Sequence, residues 1–194
     1  MFLVRRPSAD RVGRFLESQR GAPFSYREVG ASRDCAQTGA PAGYRADRHR
    51  ARIGQGQDAF GRAVGAIRHW QMFDTGWIEL CRPTTPIEVG ETVALLVRHF
   101  GFWSIHACRI VYTIEERGAG ERFGFAYGTL AGHAEIGEER FTVELLPDQS
   151  VWYDICAFSR PRGLARIGFP LARSLQRRFA RDSKEALRRA VLEG

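Results

Sequence analysis

Hydrophobic and polar positions recur along this chain at two periods. Near the N-terminus, Val12, Phe15 and Leu16 follow Ser8, a side chain suited to an N-cap, and predict a short helix over 8–20. The stretch GASRDCAQTGAPAG over 30–43 is small and turn-rich and reads as a loop. Tyr44 to Ile53 predicts a strand bounded by Gly43 and Gly54. Its arginines and His49 leave it half exposed or at a sheet edge. Beyond Gln57, the residues Phe60, Val64, Ile67 and Gln71 form one stripe with Ala63 and Trp70 beside it, the pattern of an amphipathic helix. Gly61 and Gly65 lower its propensity by about 1 kcal/mol each relative to alanine. Close packing on a sheet would account for both.

The pattern then changes to strands: Gly76 to Arg82, Thr92 to Phe100, Ile105 to Glu116, Arg122 to Leu130, Glu138 to Leu146 and Ser150 to Phe158. RGAGE and LLPDQS are short connections of the kind that join antiparallel neighbours, and the intervals leave no room for helical crossovers. In the final segment Leu171, Leu175, Phe179, Leu187 and Val191 recur at multiples of four, so the chain ends in a long amphipathic helix. Ser159 and Pro161 read as its start signals, and Pro170 predicts a break or kink.

One strand is unusual. FGFAYGTLAGHAE over 123–135 sets Phe123, Phe125 and Tyr127 on one face and Gly124, Ala126 and Gly128 on the other. Glycine in a strand interior marks a bulge or a close approach to the backbone. The bare strip has three readings: it lines a cavity, it lets a helix pack close, or it faces outward while the aromatics form the core.

Composition narrows the class. The chain has 194 residues, enough for one well-packed domain, and 44% hydrophobic content argues against disorder. Neither a spanning segment nor a secretory signal is evident. Cys35, Cys81, Cys108 and Cys156 form no CxxC pair and read as reduced thiols in a cytoplasmic protein, the last three packed within strands. The net charge of +7 belongs to the tail: ten basic residues against three acidic ones follow from Arg160 onward, and the rest balances.

The resulting order is helix, loop, strand, helix, about six strands and a long helix. It predicts an α+β fold in which a curved antiparallel sheet wraps a C-terminal helix. The segments FSYREVGASR, PIEVGETVALLVRHFGFWSIHACRIVY, FGFAYGTLAGHAEIGEERFTVE and SVWYDICAFSRPRGLARIGFPLARSLQRRFARDS resemble DUF1990, a domain-of-unknown-function family of bacteria and plants. GHAEIGEERF is the most specific part of that resemblance. The family in turn resembles the START and Bet-v-like helix-grip superfamily, whose members often hold apolar ligands between sheet and helix. The resemblance implies one helix-grip domain over 1–194, with 1–42 as an N-terminal helix-plus-loop extension. It transfers no catalytic residue.

The expected function is the binding of a small hydrophobic or amphipathic ligand between sheet and terminal helix. Arg109, Tyr127, Trp152 and Asp154 are the candidate pocket residues, with His133 and Glu135 near an entrance. Asp154 lies in a strand apolar on both faces, so it must be paired or protonated, with Arg109 and Arg98 as candidate partners from neighbouring strands. His133 and Glu135 are two apart and project alike on an extended segment, yet Ala131-Gly132 and Gly137 suit a hairpin tip where polar residues are ordinary. A solidly packed interior, without a cavity of at least roughly 300 Å³, would remove this reading.

An alternative is a cyclase- or hydratase-type enzyme in the same cavity, which needs two titratable groups within hydrogen-bond reach, Asp154 and His133 being one version. Another is binding of an anionic membrane or nucleic acid through Arg173, Arg177, Arg181 and Arg188 on the terminal helix, although a solvated face explains them more simply. GxSxG and GxxxxGK[ST] are absent, and GQGQDAFG lacks a third glycine because position 59 is Ala59. No cofactor and no metal is expected.

Overall fold

The computed structural model of this chain describes all residues except 1, 100, 119, 163–168 and 194. Its strands are β1 (Phe2–Leu3), β2 (Arg45–Gln55), β3 (Ile78–Leu80), β4 (Thr92–His99), β5 (Phe102–Glu116), β6 (Glu121–Thr129), β7 (Glu135–Leu145) and β8 (Ser150–Pro161). Its helices are α1 (Ala9–Gln19), α2 (Cys35–Thr38), α3 (Gly56–Arg68) and α4 (Phe169–Glu193), with a 3-10 turn at Gln71–Phe73. One antiparallel sheet runs in the order β2-β8-β7-β6-β5-β4-β3, and β1 pairs with β5 off that path. The sheet curls into a half-barrel that holds α4, as the element order predicts. The short connections make β4 to β8 a meander, and β2 joins its far edge beside β8. As its arginines imply, β2 is an edge strand with mostly exposed or half-exposed side chains.

Alternation assigns the faces. Phe125, Tyr127, Phe141, Val143, Tyr153 and Ile155 point to the concave side and pack with Phe60, Ala63 and Ile67 of α3 and with Phe179, Leu187 and Val191 of α4. On the convex side, Val12 and Leu16 of α1 cover Ala94, Leu96 and Ile105. A bulge between Ile110 and Tyr112 inverts the alternation of β5. Thus Ile110 belongs to the concave core, while Tyr112 and Ile114 join Ala126 in a separate convex cluster.

The bare strip therefore faces outward; what approaches Gly128 is a loop, and what approaches Gly124 is the backbone of β7 at Phe141 and Thr142. Tyr26, from the segment after α1, lies over Gly128 so closely that a Cβ there would overlap its hydroxyl. Tyr26 donates to Glu138 Oε2 at 2.7 Å, and that carboxylate also accepts the backbone N–H groups of Gly30 at 2.8 Å and Ser32 at 3.0 Å. A convex face that alternation alone would assign to solvent is sealed by residues 24–35.

Several expectations need correction. Ser159 and Pro161 end β8 and do not begin the helix. Pro170 is the second residue of α4, in the first turn, where its missing N–H is not needed, so no mid-helix break follows. The predicted strand end at Phe100 lies outside the described residues, as does the side chain of Leu171 in the apolar stripe. Gly61 and Gly65 do not serve close packing, since a Cβ at either would meet nothing within 4 Å. The loop over 30–43 contains α2. Cys35 and Cys156 are not reduced thiols: they form a disulfide with Cα atoms 6.6 Å apart, because α2 rests on the convex face of β8. Cys81 and Cys108 are free, and Cys81 follows β3 instead of lying within it. Among the described residues, no helix is long and apolar enough to cross a membrane.

Candidate functional site

Between the concave face and α4 lies a cavity of about 240 Å³. Its apolar wall is built from Phe73 and Trp77 after α3, Leu95 and Val97 of β4, Ile155 of β8, and Leu175 and Phe179 of α4. The volume is below the roughly 300 Å³ expected of a ligand pocket, and above the roughly 150 Å³ that admits one benzene ring. The interior is not solidly packed, and the space is large enough for one or two rings.

Polar side chains converge at one side. Tyr127 and Glu139 are direct cross-strand partners of β6 and β7, and the Tyr127 hydroxyl donates to Glu139 Oε2 at 2.9 Å. Burial raises the Glu139 carboxyl to about 7, with the nearby Glu135 and Asp47 adding to the rise against the Tyr127 hydrogen bond. Glu135 is likewise raised, chiefly by burial, while Gln176 of α4 donates to both of its oxygens at 2.8 Å. Asp47 on β2 pairs with Arg173 of α4.

The histidines of the wall are held neutral. Burial depresses His133 to about 4, and its Nδ1 accepts the Glu135 backbone N–H at 3.0 Å, which leaves the ring proton on Nε2. His106 is pushed well below its ordinary value by burial, with further lowering from His133, whose ring lies 4.6 Å away. His49 and His99 are also lowered by burial. The arrangement offers apolar walls, a carboxyl titrating near neutrality, and neutral imidazoles that donate or accept hydrogen bonds without adding charge.

Of the six residues singled out from sequence, Tyr127, His133 and Glu135 line this cavity. The other three lie on the convex side. Arg109 donates to the carbonyls of Gln19 at 2.7 Å, Arg20 at 2.8 Å and Ala22 at 2.7 Å, holding the C-terminal end of α1, where a cation is favourable. Trp152 lies under the Arg50 guanidinium, 4.7 Å from the ring centroid.

Asp154 is fully buried and pairs with Arg48 at 2.6 Å, with Arg50 and Arg140 each at 3.9 Å. Its expected partners Arg109 and Arg98 sit on β5 and β4, which do not adjoin β8; the adjoining strands β2 and β7 supply the actual ones. The version of catalysis that joins Asp154 to His133 therefore fails, since the two face opposite sides of the sheet. On α4, Arg177, Arg181 and Arg188 are exposed, whereas Arg173 is drawn to Asp47.

Sequence reasoning missed Glu139, His106 and the wall residues Phe73 and Phe179. For Glu139 a signal existed: period two along β7 groups it with Glu135 and separates both from Glu138. His106 and Phe73 carry no such mark, because the pairing of β5 with its neighbours and the chain path after α3 decide what they face.

Comparison with known proteins places this geometry in a family. The model of the domain of unknown function DUF1990 matches residues 25–186. A UPF0548 protein of Deinococcus radiodurans is 40% identical over 98% of this chain and 99% of its own length. A UPF0548 protein of Dictyostelium discoideum is 32% identical over 98% of this chain and 96% of its own. Among solved structures, hypothetical protein jhp0584 from Helicobacter pylori has a TM-score of 0.50 at 10% identity, covering 86% of this chain and 97% of that one, a likeness of fold alone.

Proposed function

This chain belongs to the DUF1990 family, and we propose that it binds a small hydrophobic or amphipathic molecule in the cavity between its sheet and α4. The observation that carries this reading is an apolar-walled space of about 240 Å³ with the Tyr127–Glu139 pair at its polar side. Burial of one or two rings against Phe73, Leu95 and Phe179 supplies the affinity, at about 25 cal/mol per Å² of apolar surface removed from water. Tyr127, Glu139, Glu135 and His133 orient the ligand's polar group. The role sequence assigned to Asp154 and Arg109 passes to Glu139 and Tyr127.

Native mass spectrometry of the purified full chain tests this. A retained small-molecule adduct is expected, and Ala157→Phe, which places a ring in the cavity from β8, is expected to abolish it. A bare polypeptide mass, joined to no thermal shift from neutral, cationic or anionic one- and two-ring compounds, overturns the reading.

One observation favours a second use of the same space. A hydroxyl and a carboxyl raised to about 7, 2.9 Å apart in an apolar wall, meet the geometric need of a proton-transferring pair. Cyclisation or hydration of the bound molecule is the chemistry such a pair would serve. If the ligand, once identified, is recovered unchanged after prolonged incubation, this second use is removed.

A further inference from the structure

The charge of the cavity runs against that of the molecule. The chain carries 29 lysines and arginines and a net charge of +7, yet among the described residues no arginine or lysine lines the cavity. Asp47, Glu135 and Glu139 present carboxyl groups to it, whereas the Glu138 carboxylate is held by Tyr26, Gly30 and Ser32; Arg173 pairs with Asp47. The four histidines of the wall, His49, His99, His106 and His133, add no compensating charge while neutral.

A second feature points to an occupant. His106 is 8% exposed; its Nε2 meets Ser104 Oγ at 2.8 Å, and its Nδ1 has no hydrogen-bond partner among the described residues. A buried ring nitrogen in a cavity wall that lacks a partner is costly unless a ligand or water supplies one. The aromatic faces of Phe73 and Phe179, stacked at 5.5 Å, stand on the same cavity.

Resting on the reading above, we infer that the occupant is an amphipathic organic cation: an amine whose ammonium lies toward Glu139 and Glu135 and whose one or two rings fill the apolar side. Burying an ammonium is costly unless it is paired and hydrogen-bonded. Here two carboxyl groups and the Tyr127 hydroxyl oxygen offer that pairing, and Phe73 and Phe179 pack against the ligand's rings. A ligand cation also favours ionisation of Glu139, so each charge stabilises the other. Among the described residues that line the cavity, an anionic ligand would meet three carboxyl groups and no arginine or lysine.

Isothermal titration of the full chain with three probes of one shape tests this: tryptamine, 3-ethylindole and indole-3-propionate at pH 7.5. Tryptamine is expected to bind about tenfold or more tightly than 3-ethylindole, the difference a charge-assisted hydrogen bond provides. Indole-3-propionate is expected to bind most weakly. Glu139→Gln should narrow the tryptamine-to-ethylindole ratio to within about threefold of unity, the residue of that charge-assisted difference. If that variant does not fold, Glu135→Gln reads the same ratio. Equal or tighter binding of 3-ethylindole or indole-3-propionate overturns the amine and leaves the cavity reading standing. So does a ratio unmoved by either substitution. Failure of all three probes to bind at millimolar concentration overturns the cavity reading itself, and the amine with it.

Discussion

Glu139 and Gly128 show how single positions act through what covers them. The folded chain holds the Glu139 carboxyl at about 7, against roughly 4.3 for an unperturbed glutamate. Between those values the folded state keeps a proton that the unfolded chain has lost. That advantage is complete at low pH and disappears as pH climbs through 7. Glu139→Gln keeps the shape without the charge. Its melting temperature relative to the unaltered protein is therefore expected to rise with pH from 4 and to level off just above 7; a flat or falling difference in paired thermal scans would refute it. The shifted histidines cancel because both proteins carry them. Gly128 is limited by space. A methyl group there displaces the Tyr26 ring from its bond to Glu138, so Gly128→Ala is expected to cost about 1–3 kcal/mol in urea unfolding. The cost should shrink in a Tyr26→Phe background, where the obstructing hydroxyl is gone.

At the scale of elements, the N-terminal segment and α4 hold opposite faces of one sheet. The segment before β2 has little apolar surface of its own beyond α1 and the Tyr26 region. It is held by specific links: the Arg109 clamp on α1, the Glu138 cluster, and the disulfide from Cys35 to Cys156. That disulfide closes a separation of 121 residues, and disulfides typically give stabilisation of about 2–4 kcal/mol, largely by restricting the unfolded chain. Cys35→Ser or Cys156→Ser is expected to lower unfolding stability by that amount, and reductant to lower the unaltered protein to the same level. An unaltered midpoint in reductant would show that the link contributes nothing. Helix α4 needs no such device, because Phe179, Ala180, Ala186, Leu187 and Val191 bury a continuous stripe against α3 and the sheet.

For the whole molecule, the sheet separates two kinds of polar chemistry. On the convex side an ion-pair network joins the buried Asp154 to the buried Arg140 and to the partly exposed Arg48 and Arg50. On the concave side Glu135 and Glu139, hydrogen-bonded by Gln176 and Tyr127, meet an apolar cavity. Because the faces are insulated by the sheet, their functions should separate on mutation. Asp154→Asn leaves the buried Arg140 without a carboxylate, while Arg48 and Arg50 can turn to water, and is expected to cost about 1–3 kcal/mol in chemical denaturation. Occupancy of the cavity by the native-mass adduct should be unchanged under conditions where the variant stays folded. Loss of the adduct from folded Asp154→Asn protein would show that the two faces are coupled.

The sequence by itself determined the elements and their order. Local periodicity is set by backbone geometry: three to four residues per repeat for Phe60, Ala63 and Ile67, two for Phe123, Phe125 and Tyr127. Short connections forced an antiparallel meander, and an amphipathic final helix needed a concave face to cover. The family resemblance was legible for the same reason, in contiguous strings such as GHAEIGEERF. Only the tertiary structure decided which face was which. An alternating strand has two sides, and nothing within Gly124 to Gly128 says that Tyr26, about a hundred residues earlier, covers the bare one. The bulge in β5, the docking of Cys35 on Cys156 and the neighbours of Asp154 are likewise products of strand order. The cavity is the clearest instance, since empty space depends on how far apart packed surfaces remain, a quantity that no single stretch of chain encodes.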